Sequence, residues 1–244
     1  MSPFLAIAKR ELDGYFTTPI AYIFIVIYLV LSGLLTFYLG GFYEKEQADL
    51  SAFFGFQPWL YLLLVPAVSM RLWAEERQSG SIELLMTLPV TLWQAVLGKF
   101  LAAWLFIGLA LSLTFPIWIT VNYLGSPDNG AILTAYLASF LMAGAFLAIG
   151  SCVSAANRNQ VVAFIITIAL CFILMMAGFP LVLDLLSAWL PASVINAIAN
   201  LGFLIHFQDL SKGVLELADI AFFVLVIGTW LYATAVVLDL KKAE

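Results

Sequence analysis

The chain has 244 residues, of which 64% are apolar in the broad sense (Ala, Val, Ile, Leu, Met, Phe, Trp, Tyr, Cys) and 10% are charged, and its mean hydropathy is +1.07. Soluble domains run at roughly 45–50% apolar and about 25% charged residues, so a water-covered globule is excluded and the bilayer becomes the main constraint on fold. The net charge of −5, from 10 Lys plus Arg against 15 Asp plus Glu, leaves no basic face for nucleic acid.

The first element in chain order is residues 4–16. Phe4, Ile7, Ala8, Leu12, Tyr15 and Phe16 recur near helical spacing, while Lys9, Arg10, Glu11 and Asp13 take much of the other side. This pattern predicts an amphipathic helix too charged to span, lying on the membrane surface and turning inward at Pro19. The competing reading is a charged flank that orients the first span. The apolar run that follows is about twice the usual signal core and has no A-x-A-like site after it, so it is expected to stay attached.

Charged residues then serve as a ruler, because a transmembrane helix needs about 20 apolar residues in succession. Six spans are predicted, near 20–40, 56–73, 100–123, 131–153, 161–183 and 220–239. The stretch Leu185 to Gln208 is also free of charge, but it contains Pro191, Asn196, Asn200 and His206 and is divided from the fifth span by Asp184 alone. Two spans cannot be joined by one residue, so 184–218 is read as an external segment of short interfacial or re-entrant helices.

With the N-terminus inside, Lys9, Arg10, Arg71, Arg77, Lys99, Arg158, Lys241 and Lys242 are cytoplasmic and only Lys45 and Lys212 are outside. The positive-inside bias therefore puts both termini in the cytoplasm.

The spans offer little chemistry. No carboxylate, lysine or arginine lies at the centre of any of them, which argues against a proton-driven carrier. GxSxG, HExxH and GxxxxGK[ST] patterns are absent. His206 is read as a polar residue of the outer loop, Cys152 and Cys171 as small buried residues, and Met175 and Met176 as packing; no catalytic or metal site is expected.

The connection between spans two and three, residues 74–99, is the informative polar segment. Gly80 breaks the preceding helix, Ser81 can cap the next, Glu83 favours its first turn, and Pro89 ends it. A short helix is thus predicted over Ile82 to Leu88, with Ile82, Leu85 and Met86 on one apolar face and Leu84 and Leu88 beside it. Either it is presented to a partner in the cytosol, or it folds back onto the chain's own inner surface. Thr91 and Gln94 form a capping-box pattern that opens the helix into span three.

Glu75, Glu76 and Arg77, then Gly80, Ser81, Ile82, Glu83, Leu84 and Leu85, then Pro89, Gly98 and Lys99 resemble the cytoplasmic loop of the ATP-binding-cassette type-2 exporter permeases. The opening Arg10, Glu11, Leu12, Tyr15, Phe16, Pro19 and Tyr22 is similar to that of the branch associated with gliding motility and nitrous-oxide-reductase maturation.

The resemblance implies an all-α integral membrane permease of the bacterial inner membrane, with a cytoplasmic N-terminal amphipathic helix, six transmembrane helices, a coupling helix between spans two and three, and external helices between spans five and six. It implies a half-transporter that pairs with a second copy or a homologous permease above two separate ATPase subunits. ATP and Mg would be bound by those partners and no cofactor by this chain, which would not itself be an enzyme. Glu75, Glu76, Arg77, Gly80, Ser81, Ile82, Glu83, Leu84, Leu85, Met86 and Pro89 would form the ATPase-coupling interface, and Lys9, Arg10, Glu11, Tyr15 and Phe16 would mark the interfacial helix. The function implied is export of an amphiphilic, lipid-like or peptide cargo. The alternative is an ATPase-coupled scaffold that passes force to an extracytoplasmic or motility partner.

Overall fold

The structure, a computed structural model, describes residues 3–44, 48–80 and 90–241, and every regular element among them is helical. Helix α1 (Pro3–Thr17) is separated from α2 (Pro19–Leu34) by Thr18 in an extended conformation, with Pro19 in the first turn of α2, where its missing N–H costs nothing. A π-helical turn extends α2 to Leu39. Helix α3 (Ser51–Ser69) leads into α4 (Arg71–Ser79), which Gly80 ends in the left-handed region at φ 73°. Thr91 and Gln94 close the reciprocal capping box and open α5 (Leu92–Ser112), followed by α6 (Phe115–Leu124).

Helix α7 (Asn129–Ala156) is capped by Asp128, and α8 (Gln160–Met176) by Asn159. Three short helices follow, α9 (Pro180–Ser187), α10 (Ala192–Asn200) and α11 (Phe203–Ser211), before α12 (Leu217–Leu240).

Five helical stretches among the described residues are long and apolar enough to cross a membrane: Pro19–Leu39, Ser51–Ser79, Leu92–Leu124, Asn129–Ala156 and Leu217–Leu240. A sixth arises if α8 and α9 count as one broken span, since they meet at 77°. The sequence places the fifth span at 161–183, whereas the straight helix stops at Met176. The reason is local. Pro180 cannot continue a helix, and Gly178 lies against Gly202 so closely that a Cβ on Gly202 would fall 2.5 Å from the Gly178 Cα. The turn after α8 and the turn before α11 are thereby pressed together.

Helix α7 is the mast of the bundle. In its span-length window 78% of residues are buried, against 28% for α2 and for α12, and it packs on α3, α4, α5, α8, α11 and α12. Small residues let those neighbours come close. At Gly150 a Cβ would fall 1.9 Å from Ser69 Oγ of α3, so the two backbones cross with no room for a side chain. Farther along, Trp104 of α5 stacks on Phe140 at 4.4 Å and donates its indole N–H to the Phe140 carbonyl. Tyr28 of α2 donates to Gln57 Oε1 of α3 at 2.9 Å, inside the bundle.

Gly150→Ala is expected to destabilise the protein by about 1–3 kcal/mol, the usual range for overpacking. The measurement is the unfolding temperature in detergent, and Ser69→Gly in the same chain should restore part of the loss.

Candidate functional site

Those of the singled-out residues that the structure describes meet at the end of the bundle where α1 lies. Helix α1 is seated along α5 by its apolar face: Ile7 and Ala8 are buried, and a Cβ on Gly98 of α5 would fall 2.9 Å from Ile7 Cγ2. Tyr15 stacks on Phe106 of α5 with ring centroids 4.9 Å apart, and Phe16 meets the same ring edge-on at 5.9 Å. Lys9, Arg10 and Asp13 stay exposed on the other side.

Lys99, one residue beyond Gly98, is only 3% exposed. Its ammonium lies 2.8 Å from Glu76 Oε1 of α4 and 3.2 Å from Glu11 Oε1 of α1, with the Trp73 ring centroid 5.4 Å away. Arg10 adds a second contact to Glu11 at 3.0 Å, so two cations face two carboxylates. Burial pushes the Glu11 carboxyl up, but the attraction of Lys99 and Arg10 and the hydrogen bonds they donate outweigh it, and the net shift is downward. One ammonium thus ties three helices, and the arrangement survives burial because no charge in it is left alone.

A second set of contacts pins α4 to the end of α7. Beyond the single-residue break at Met70, the N–H groups of Trp73 and Ala74 donate to Ser154 Oγ at 3.1 and 3.0 Å; Ser154 in turn donates to the Met70 carbonyl. The Trp73 indole donates to Ser151 Oγ at 3.1 Å. Arg77 and Lys241 donate to the Ala155 and Ala156 carbonyls, two of the last acceptors of α7, where a cation also complements the helix dipole.

Among the expected coupling residues, Glu76 and Arg77 are therefore engaged within the chain, while Glu75 and Gly80 are exposed. Ser81, Ile82, Glu83, Leu84, Leu85, Met86 and Pro89 lie outside the described residues. An open polar cleft of about 500 Å³ runs between α1 and α4, lined by Arg10, Gly14, Thr18, Arg71, Glu75 and Ser79 among others.

Lys99 stands in the sequence pattern only as the last residue of the loop motif, and its central place was missed. The available signal was a lysine at the mouth of an apolar run, which needs partners if it is buried. Ser151 and Ser154 carry no sequence signal at all.

His206 and the two cysteines have structural surroundings. His206 sits in α11 with Nδ1 2.6 Å from Asp219 Oδ1 of α12, Nε2 3.0 Å from the Asn200 carbonyl, and its ring stacked on Phe222 at 4.0 Å. It pins α11 between the end of α10 and the start of α12. Cys152 and Cys171 are buried free thiols, and no group of three or more His, Cys, Asp or Glu able to hold a metal occurs among the described residues.

A helical bundle of this apolarity, with one buried lysine tying three helices together at one end, defines a multi-pass membrane protein. The profile of the ABC-2 family transporter proteins matches residues 5–238, and the chain belongs to that family. It is accordingly the permease component of an ABC transporter, a component that works with ABC ATPase subunits. No curated protein sequence matches the chain.

Removing Lys99 strands Glu76 and leaves Glu11 with Arg10 alone, so Lys99→Ala should cost about 3 kcal/mol, while Lys99→Met combined with Glu11→Gln and Glu76→Gln should cost less than the single change. Unfolding temperatures in detergent make the comparison. Because the Glu11 carboxyl is lowered in the folded state, its contribution is complete above the ordinary glutamate pKa of about 4.3 and is lost as pH falls through the lowered value. The stability difference between wild type and Glu11→Gln should shrink in acid and hold steady from there to neutral pH.

Proposed function

We propose that the chain is one permease half of an ATP-driven exporter of the bacterial inner membrane, paired with a second copy or a homologous permease and served by two ATPase subunits beneath it. The observation that carries this reading is the Lys99 junction. Residues 81–89 leave from the end of α4 and return at the start of α5, and Lys99 ties those two helices to each other and to α1. A push on that loop reaches both spans and the surface helix together rather than bending one of them.

In this reading α8 is the fifth of six spans, both termini are cytoplasmic, and the ATPases contact α1, Glu75 and the helix expected over 82–88, beside the open cleft between α1 and α4. ATP and Mg are held by the ATPases. The cargo is amphiphilic, lipid-like or a peptide, and it passes through a cavity between the two permeases. Helices α2 and α8 are the faces proposed for that pairing. Val26 and Val30, and Val161, Ile165 and Ile173, are exposed by 57–62% along them, whereas α7 is covered by its own chain.

Leu85→Asp places a charge at the expected apolar anchor, and loss of such an anchor costs about 2 kcal/mol of binding. Co-purification with the ATPase and cargo-stimulated turnover should fall while membrane insertion stays normal; unchanged values would remove the coupling role. Co-purification with an extracytoplasmic protein and no cargo response would favour the force-transmitting scaffold. A reporter fused after Glu244 should read cytoplasm and one near Ser211 outside, and an outside reading after Glu244 would defeat the six-span topology. Single cysteines along α2 and α8, in a chain without Cys152 and Cys171, should crosslink permease pairs.

A further inference from the structure

At the end of the bundle opposite the Lys99 junction, a cavity of about 400 Å³ lies within the single chain, between the start of α3, the start of α7 and helix α11. Its walls are apolar, with Phe54 and Pro58 from α3, Ile132 from α7, and Leu204 and Phe207 from α11. The size and lining are those of a small-molecule site, where apolar walls hold the body of a ligand and a few polar groups fix its orientation.

Two helix-weakening residues of α3, Gly55 and Pro58, line the space. A Cβ added at Gly55 would meet nothing within 4 Å. Pro58 has no N–H, so the Phe54 carbonyl lacks its usual donor four residues on.

The mouth of the cavity is acidic. Asp49 and Asp128 both line it. Asp49 uses Oδ1 to accept from the N–H and hydroxyl of Ser51, at 3.0 and 2.8 Å. Asp128 uses Oδ1 to accept from the N–H groups of Gly130 and Ala131, at 2.9 and 3.2 Å. Each carboxylate is thereby fixed by one oxygen while the other makes no hydrogen bond to the described chain. Lys212, also at the mouth, is paired with Asp209 at 3.2 Å. A helix start offsets only about half a charge, so among the described residues the mouth keeps a negative balance.

We propose that this cavity binds a cationic amphiphile, with one alkyl or aryl arm against Phe54, Ile132 and Phe207 and its ammonium between Asp49 and Asp128. The site is lined by one chain alone, so it stands apart from the exporter reading and is tested without an ATPase.

The test uses the full chain in phosphatidylcholine nanodiscs and a decylamine carrying an alkyl diazirine, compared with the alcohol and the sulfate of the same skeleton. After photolysis, mass spectrometry should find saturable labelling on peptides containing Phe54, Ile132 or Phe207, and the amine should label at about one-tenth the concentration the alcohol needs, the effect of a charge-assisted hydrogen bond. Gly55→Phe adds bulk where a Cβ meets nothing within 4 Å and should abolish saturable labelling at an unchanged unfolding temperature; Gly55→Leu serves if the phenylalanine variant does not fold. Asp49→Asn with Asp128→Asn keeps both turns, since asparagine also caps, and should erase the preference for amine over alcohol while the alcohol labels as before. Labelling spread over lipid-facing helices without saturation, equal labelling by amine and alcohol in the wild type, undiminished labelling in the filled variants, or an amine preference that survives the double asparagine change would each overturn the proposal.

Discussion

In lipid, covering an apolar side chain gains little, because the tails it leaves are as apolar as the helix it meets. Helices are then held by how closely their backbones approach and by the few polar contacts they make. Helix α7 meets that constraint for the whole bundle. Gly150 lets α3 cross at a distance no side chain would permit, and α5, α8, α11 and α12 pack on the remaining faces. A helix so enclosed needs no polar face, and its charge-free sequence reflects this. The small residues of span four are thus accounted for by contacts within one chain.

One group of polar contacts gathers at a bundle end, where lipid excludes water less strictly than at mid-span. Lys99 with Glu11 and Glu76, the Ser154 hydroxyl with the freed N–H groups of α4, and Arg77 and Lys241 with the last carbonyls of α7 all occur at one end of the molecule. Packing along α7 sets how the spans stand against each other, and these contacts set how α1 and α4 are attached to them. Motion applied at that end would move a preassembled unit, since α1, α4 and the start of α5 share one buried cation.

Much of the helix layout can be read from the chain because charges and prolines mark where helices end. Thr91 and Gln94 announce the start of α5, Gly80 the end of α4, and Pro19 the start of α2, each through local chemistry. The break after Met176 was less visible, since it depends on Gly178 meeting Gly202 across the fold as well as on Pro180. The same limit applies to the junction. Glu11, Glu76 and Lys99 are far apart along the chain, and no periodicity links them. The amphipathic pattern of 4–16 shows that a helix has an apolar face, but only the fold shows that α5 receives it. Gly55 and Pro58 likewise look like ordinary interruptions of an apolar run until α11 closes the space beside them.

The enclosure of α7 also bears on how the protein is made. Its neighbours α3, α4 and α5 precede it in translation, whereas α8, α11 and α12 emerge later, and the contact with α12 is the most extensive that α7 makes. A nascent chain that has inserted α7 must leave one flank of its mast facing lipid until α12 follows. Ribosome stalling or truncation between α8 and α12 would therefore strand a half-built bundle in the bilayer, and membrane quality-control proteases would meet it at that flank.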